Sequence, residues 1–372
     1  MKLWETSFDS HEGRKRNKRA MRKFALSNNT HSRKYKHNGK KLRVQPEKII
    51  APTYLDLYNP KNHDKLIIFI KDIELQSKIK SSAPIKKVYI CFRNTIHIGA
   101  AAGLWMLSKM ESLRCIYPQI TYIVTRPPVT VRNNNKERHY TVESVLNRIG
   151  FYEALGLPTR PMKKEPLVNC WEVIRGDLVE ATEVGRLLEE ISAKIRVNYD
   201  GMFRPLIEAM ANSVEHAYRE DLYKSTRNAI KHKWWCFAAL MDNRLVILIC
   251  DLGVGIPNTL KLTQGEGFLS KIIEILGKPL SCDGDHIKAS LQVKRTRTKL
   301  GYRGKGGADL QSIIESYKES QLRIISNYGN YKYTNRKSVV KPETIWDGAE
   351  SIGGTIVEWS IPLQTIDEGH HA

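Results

Sequence analysis

Two rhythms of apolar and polar residues organise residues 203 to 257 of this chain. The first stretch, FRPLIEAMANSVEHAY, places Glu208, Asn212 and His216 four residues apart. On a helix that spacing stacks three polar side chains along one face. Leu206, Ile207, Met210 and Val214 are left to bury the other. The second stretch is apolar from Leu245 to Cys250 and stops at Asp251-Leu252-Gly253-Val254-Gly255. Such a run predicts a buried strand. Two glycines after it let backbone approach a ligand closely, with the acid at the mouth. Helix before glycine turn reverses the Rossmann order, and no G-x-x-x-x-G-K-[ST] phosphate loop occurs.

Upstream, Lys65 to Phe69 (KLIIF) and Lys87 to Phe92 (KVYICF) read as strands, and Ala100 to Met110 as an apolar, small-residue helix. Ile120 to Val124 is a further strand, while Val142 to Ile149 and Phe151 to Leu155 read as helix. This alternation predicts a small α/β domain. Pro158 to Pro166 reads as a linker. Asp177 to Ile195 is then amphipathic, with Leu178, Val184, Leu187, Leu188, Ile191 and Ile195 on its apolar face.

Composition adds two constraints. With 372 residues, 41% of them hydrophobic, the chain has room for two cores. Cys91, Cys115, Cys170, Cys236, Cys250 and Cys282 form no C-x-x-C pair, which suits reduced packing residues better than a metal site. No apolar leader opens the chain and no segment approaches the length of a membrane span, so a soluble cytoplasmic protein without membrane contact is expected. The formal net charge is +21. Residues 1–46 supply 14 Lys or Arg against three acids, a net of +11. They read as a solvated, disordered tail or as a sequence-blind arm for nucleic-acid phosphates.

The helix and glycine turn together resemble the N box and first glycine box of the GHKL superfamily of ATP-binding domains, which includes gyrase-type topoisomerases, Hsp90 chaperones, mismatch-repair ATPases and histidine kinases. Two further boxes of that family have counterparts in the right order. Gly304-Lys305-Gly306-Gly307-Ala308-Asp309-Leu310 resembles the second glycine box, heading a helix from Leu310 to Tyr317. Gly353-Gly354-Thr355 through Pro362 resembles the closing strand. Residues 208 to 218, EAMANSVEHAY, are most similar to the N box of anti-sigma-factor serine kinases, whose usual partners are STAS proteins. TIHIGAAAGLWML followed by VLNRIGFYEALGL resembles a STAS domain. In that family the turn before this helix often carries a phosphorylatable hydroxyl. Gly99-Ala100-Ala101-Ala102 has none, which implies docking rather than a phosphorylation switch.

The resemblance implies an α/β (α+β sandwich) protein: a basic tail at 1–46, a STAS-like α/β domain at 47–160 and a linker at 161–176. A GHKL (Bergerat-type) ATPase domain follows at 177–365, a mixed sheet with helices on one face, and then a tail at 366–372. It implies ATP and Mg²⁺ as cofactors. Asp251 then accepts from the adenine amine, with Gly253 and Gly255 keeping side chains clear of the base. Asn212 supplies a neutral oxygen to Mg²⁺, a hard cation that prefers oxygen. Glu208, one turn earlier, becomes the general base that activates water. Gly304, Lys305, Gly306 and Gly307 offer phosphate contacts at a helix start, and Thr355 completes the ATP-binding set. His216 contacts phosphate or fills a polar site. Residues 258–303 form the ATP lid, its later part rich in charge and turns, with Lys288, Lys294, Arg295, Arg297, Lys299 and Arg303 as further cations.

Three functions follow. The first is a slowly ATP-hydrolysing conformational switch acting on a protein partner or nucleic acid. The second is an anti-sigma-type serine/threonine kinase. The third is a nucleic-acid-binding module with ATP as allosteric ligand. A dimer stays open, and the domain pairing fits bacterial regulation or defence by analogy. The tail carries its own test. If it binds duplex DNA, the log–log salt slope should approach about −0.9 per neutralised phosphate, and deleting residues 1–46 should flatten it without touching ATP binding. Gel-shift titrations at two salt concentrations that match with and without the tail would rule the arm out.

Overall fold

The computed structural model describes residues 47–79, 86–128, 131–132, 138–139, 141–160, 168–170, 173–195, 200–218, 232–241, 243–263, 273–274, 277, 279–297, 306–336 and 342–363. The tails at 1–46 and 366–372, and Lys299, Arg303, Gly304 and Lys305, lie outside these. Ile49–Ala372 forms one compact unit.

The chain opens with β1 (Lys48–Ile50), β2 (Tyr54–Leu55) and α1 (Pro60–Lys78), then β3 (Lys86–Cys91), β4 (His97–Ile98), α2 (Ala100–Ile116) and β5 (Ile120–Thr125). Two short strands, β6 (Val131–Arg132) and β7 (Arg138–His139), and helices α3 (Thr141–Arg148) and α4 (Phe151–Ala154) follow. β3 and β5 pair in parallel from Lys86↔Ile120 to Cys91↔Thr125, in a sheet ordered β1-β3-β5. A parallel pair needs a crossover, and α2 supplies it. KLIIF is not the predicted strand but the middle of α1. Asn59 caps that helix by accepting from the Lys61 N–H at 3.0 Å, and Pro60 fits its first turn. His63, Leu66, Ile67, Ile70, Ile73 and Ser77 then lie buried at helical spacing. Four apolar residues in a row fit either period, and only this longer pattern separates the two.

The expected linker also contributes structure. β8 (Val168–Cys170) and β9 (Ile174–Gly176) both pair with β10 (Trp234–Met241). Between them in sequence come α5 (Ala181–Ile195) and α6 (Phe203–Glu215). Leu178 lies before α5 and is 64% exposed; its carbonyl, not its side chain, is used, accepting from Trp234 Nε1 at 2.8 Å. Beyond β10 come β11 (Arg244–Asp251), α7 (Ile256–Thr263), α8 (Asp283–Arg297), α9 (Gly306–Ser316), β12 (Gln321–Ser326), β13 (Gly329–Thr334), β14 (Glu343–Asp347) and β15 (Thr355–Pro362). The sheet runs β14-β13-β12-β15-β11-β10-β8. Its described pairs are all antiparallel, where a mixed sheet was expected.

Within the expected lid, Asp283–Arg297 is helix α8 rather than a run of turns. Asp347 accepts from the backbone N–H groups of Asp283 and Gly284 at 2.9 and 3.0 Å, capping α8 from another strand. Buried Ile287 and Leu291 then hold it to the core. Lys288, a candidate phosphate cation, is instead paired with Glu343 of β14.

Both faces of the sheet are covered, not one. Trp234, Cys236 and Ala238 of β10, Leu245, Ile247 and Ile249 of β11, and Val357, Trp359 and Ile361 of β15 share a core with α5, α6, α8 and α9. The alternate residues Trp235, Phe237 and Ala239, Val246, Leu248 and Cys250, and Ile356 belong to the core of the N-terminal layer. Segments 47–160 and 177–365 therefore share a hydrophobic core. α2 lies between them, buried nearly all round and packed on β10, β11 and β15 as well as on α1 and α4. Polar contacts tie the layers as well. Trp235 Nε1 donates to Glu111 at 2.7 Å, and the Tyr58 hydroxyl donates to Glu358 while Arg323 stacks 4.0 Å from its ring. Among the described residues, no helix is long and apolar enough to cross a membrane.

Residues 161–372 expressed alone should therefore expose Phe237, Val246 and Leu248, each costing about 1.5–3 kcal/mol when returned to water. The fragment should bind a hydrophobic dye and lose its cooperative melt, whereas 47–372 should melt in one calorimetric transition. A fragment that melts cooperatively without dye binding would contradict the shared core.

Candidate functional site

Asp251 ends β11 at the point where the apolar strand gives way to glycine, and it is 6% exposed. Its Oδ1 accepts from the Gly253 N–H at 2.9 Å and its Oδ2 from the Ser213 hydroxyl at 3.4 Å. Thr355, its register partner on β15, adds a backbone N–H. Burial raises the carboxyl from its ordinary 3.8 to about 7, and these donors offset only part of that. Among the described residues, the donors to this buried acceptor are all neutral.

The turn after Asp251 is bonded to the end of α6. Val254 N–H donates to the Ala217 carbonyl at 2.8 Å. The Tyr218 hydroxyl accepts from the Leu252 N–H at 3.0 Å and donates to the Lys233 carbonyl at 2.6 Å. Both glycines are required by this packing. A Cβ on Gly253 would stand 2.3 Å from the Ala217 carbonyl oxygen. Gly255 has φ +83, and a Cβ there would meet the Asn327 amide at 2.5 Å. At each glycine the position a Cβ would take is filled by protein, and a side chain there would keep the two segments from touching.

On α6, Glu208 and Asn212 are half-buried one turn apart, and Asn212 Nδ2 donates to Glu208 Oε1 at 3.3 Å. That bond commits one N–H of the amide. Ser213 follows Asn212 directly and reaches Asp251, so this helix turn is tied to the end of β11. His216 caps α6 and is exposed; its N–H donates to the Asn212 carbonyl at 3.1 Å. Thr355 is buried, with its hydroxyl 3.0 Å from that of Ser326. Gly306 and Gly307 form the first turn of α9, which packs against α6.

Four residues here were given no role of their own by the sequence. Ser213 and Tyr218 bond the carboxylate and the turn. Ser326 accepts from the Ile256 N–H at 2.9 Å, and Asn327, at φ +52, donates to the Val254 carbonyl at 2.9 Å. The signals available were the Asn-Ser neighbour pair and the tolerance of Asn for left-handed backbone. Cys236 and Cys250 are buried thiols pushed to about 12, in keeping with packing roles. Among the described residues no group of three or more His, Cys, Asp or Glu could hold a metal. Mg²⁺ held mainly by phosphates and water needs no such group, and the Asn212 oxygen suits it. Compared with models of protein families, with curated proteins and with solved structures, the chain matches none.

The raised Asp251 value makes the site a stability liability with a defined sign. Below 3.8 the acid is neutral folded and unfolded, so it costs nothing; from there to about 7 the unfolded chain ionises first and stability falls as pH rises; above about 7 the cost is constant. Asp251→Asn should therefore gain on wild type by about 1–3 kcal/mol between pH 5 and pH 8. Chemical denaturation at both pH values measures this, and a difference that does not change with pH would place Asp251 in water.

Proposed function

We propose that this protein is a GHKL-type ATP-binding switch that binds ATP with Mg²⁺ and hydrolyses it slowly. The observation that carries the reading is the buried Asp251 carboxyl, joined through Ser213 to the helix turn that bears Asn212 and Glu208. An exocyclic adenine amine is the donor that such an acceptor lacks, and a buried carboxylate without a strong donor is costly. Mg²⁺, when bound, neutralises polyphosphate charge, and the Asn212 oxygen would hold it. Glu208 sits one turn away, where its carboxylate can take a proton from an attacking water. Its hydrogen bond from Asn212 keeps the base oriented toward the same face. The α9 N-terminus, opened by Gly306 and Gly307 and packed on α6, would supply N–H groups to phosphate. The N-terminal layer, sharing its core with the sheet, is the part through which a protein partner would feel the nucleotide.

Binding and chemistry separate by mutation. Asn212→Ala and Asp251→Ala each remove a buried polar partner worth roughly 1–3 kcal/mol, so calorimetry should show ATP affinity reduced about tenfold or more. Glu208→Ala should bind ATP normally while phosphate release falls on the order of 10²–10⁴-fold. Wild-type affinity in both binding variants would sink the assignment. Phosphate appearing on a protein instead of in solution would make the chain a kinase.

A further inference from the structure

The nucleotide reading leaves unused a series of contacts that crosses the sheet. Trp105 of α2 is 1% exposed, and its indole N–H donates to the Ile352 carbonyl at 3.0 Å. Ile352, itself wholly buried, donates its N–H to the Asn327 carbonyl at 3.0 Å. Asn327 then donates twice: its N–H to the Gly354 carbonyl at 3.1 Å, and its Nδ2 to the Val254 carbonyl at 2.9 Å. Those two acceptors belong to the turns on either side of Asp251. Gly354 has φ +144, and a Cβ there would stand 2.2 Å from the Asp251 carbonyl oxygen. Val254 lies between Gly253 and Gly255. The glycines allow the turns to close on Asp251, but glycine cannot hold them there, because it has the widest conformational freedom of any residue.

Packing alone does not call for tryptophan at this position, since a phenylalanine ring would occupy much of the same apolar volume. What tryptophan adds is a single donor aimed at a buried carbonyl. Lys109, one turn on along α2, lies 5.5 Å from the Trp105 ring centroid and helps fix the ring. On the far side, Ser326 donates to the same Gly354 carbonyl at 3.3 Å, so the turn is held from both layers.

We propose that Trp105 is a positioning residue for the nucleotide site, its indole N–H setting, through Ile352 and Asn327, the two glycine turns that flank Asp251. This rests on the nucleotide reading above. It also gives that reading a route: the N-terminal layer holds the mouth of the site, and by linkage a nucleotide that orders the mouth tightens the grip of the layer by the same factor.

The test compares full-length wild type with Trp105→Phe, which keeps the ring and removes the donor. Asn327→Gly is the second variant. It keeps the left-handed backbone and removes the bond to Val254, so it should fold even if the first variant does not. Hydrogen exchange followed by mass spectrometry should show amides in 325–330 and 350–356 opening roughly 5- to 100-fold faster in Trp105→Phe, with α5 and β10 unchanged. ATP·Mg²⁺ affinity by calorimetry should fall about 5- to 10-fold in both variants. Exchange that quickens evenly across the molecule, or not at all, would overturn the assignment, as would local quickening with wild-type ATP affinity. If wild type itself binds no ATP, the nucleotide reading fails and this assignment with it, an outcome distinct from equal binding by wild type and variants.

Discussion

Strands β10, β11 and β15 carry apolar side chains on both faces, and an eight-stranded antiparallel sheet of that kind cannot leave either face in water. α5, α6, α8 and α9 cover one face. The other is covered by α2 and the α/β layer around it. Every large feature of the chain answers to that requirement. It makes α2 apolar on nearly all sides, draws 168–170 and 174–176 into the sheet as edge strands, and leaves Ile49–Ala372 a single unit. Antiparallel sheets commonly keep one solvated face and show it as alternating polar residues. β11 shows no such alternation, and the reason is the second layer.

The candidate site sits where this apolar frame ends. Asp251 is the first polar side chain after six apolar ones on β11, and it is still inside the core boundary. Keeping a carboxyl there is unfavourable, as its rise to about 7 records. Among the described residues, the surroundings compensate with small, directed donors rather than a counter-charge: one hydroxyl from α6 and backbone N–H groups from the turn and from β15. The glycines serve the same end by letting Ala217, Asn327 and the Asp251 backbone approach within distances that a Cβ would forbid.

The two layers meet through polar contacts of unequal kind. Tyr58 with Glu358 and Trp235 with Glu111 join side chain to side chain at the core boundary. Trp105 with Ile352 is different, because it joins a side chain of one layer to the backbone of a turn in the other. A backbone acceptor fixes chain path rather than rotamer, and the path it fixes borders Asp251. That is why a helix outside the proposed nucleotide-binding segments bears on the site.

Local pattern by itself determined much of this protein. The four-residue spacing of Glu208, Asn212 and His216, the apolar run closing at Asp251, the strand 355–362 and most of the helices were legible, because each is set by interactions within a few residues. Segments that were misread have their cause elsewhere in the chain. KLIIF became helix because a cap at Asn59 and apolar residues as far as Ile73 outvoted five ambiguous positions. α8 formed within a charged, turn-rich sequence because Asp347, over fifty residues on, capped it. Residues 168–170 and 174–176 of the expected linker became strands because β10 offered them an open edge. The number of layers on the sheet, and the hydrogen bonds of Ser213, Asn327 and Trp105, were likewise decided only by tertiary structure. Such contacts depend on which surfaces face each other after collapse, and no spacing along one strand or helix encodes its partner.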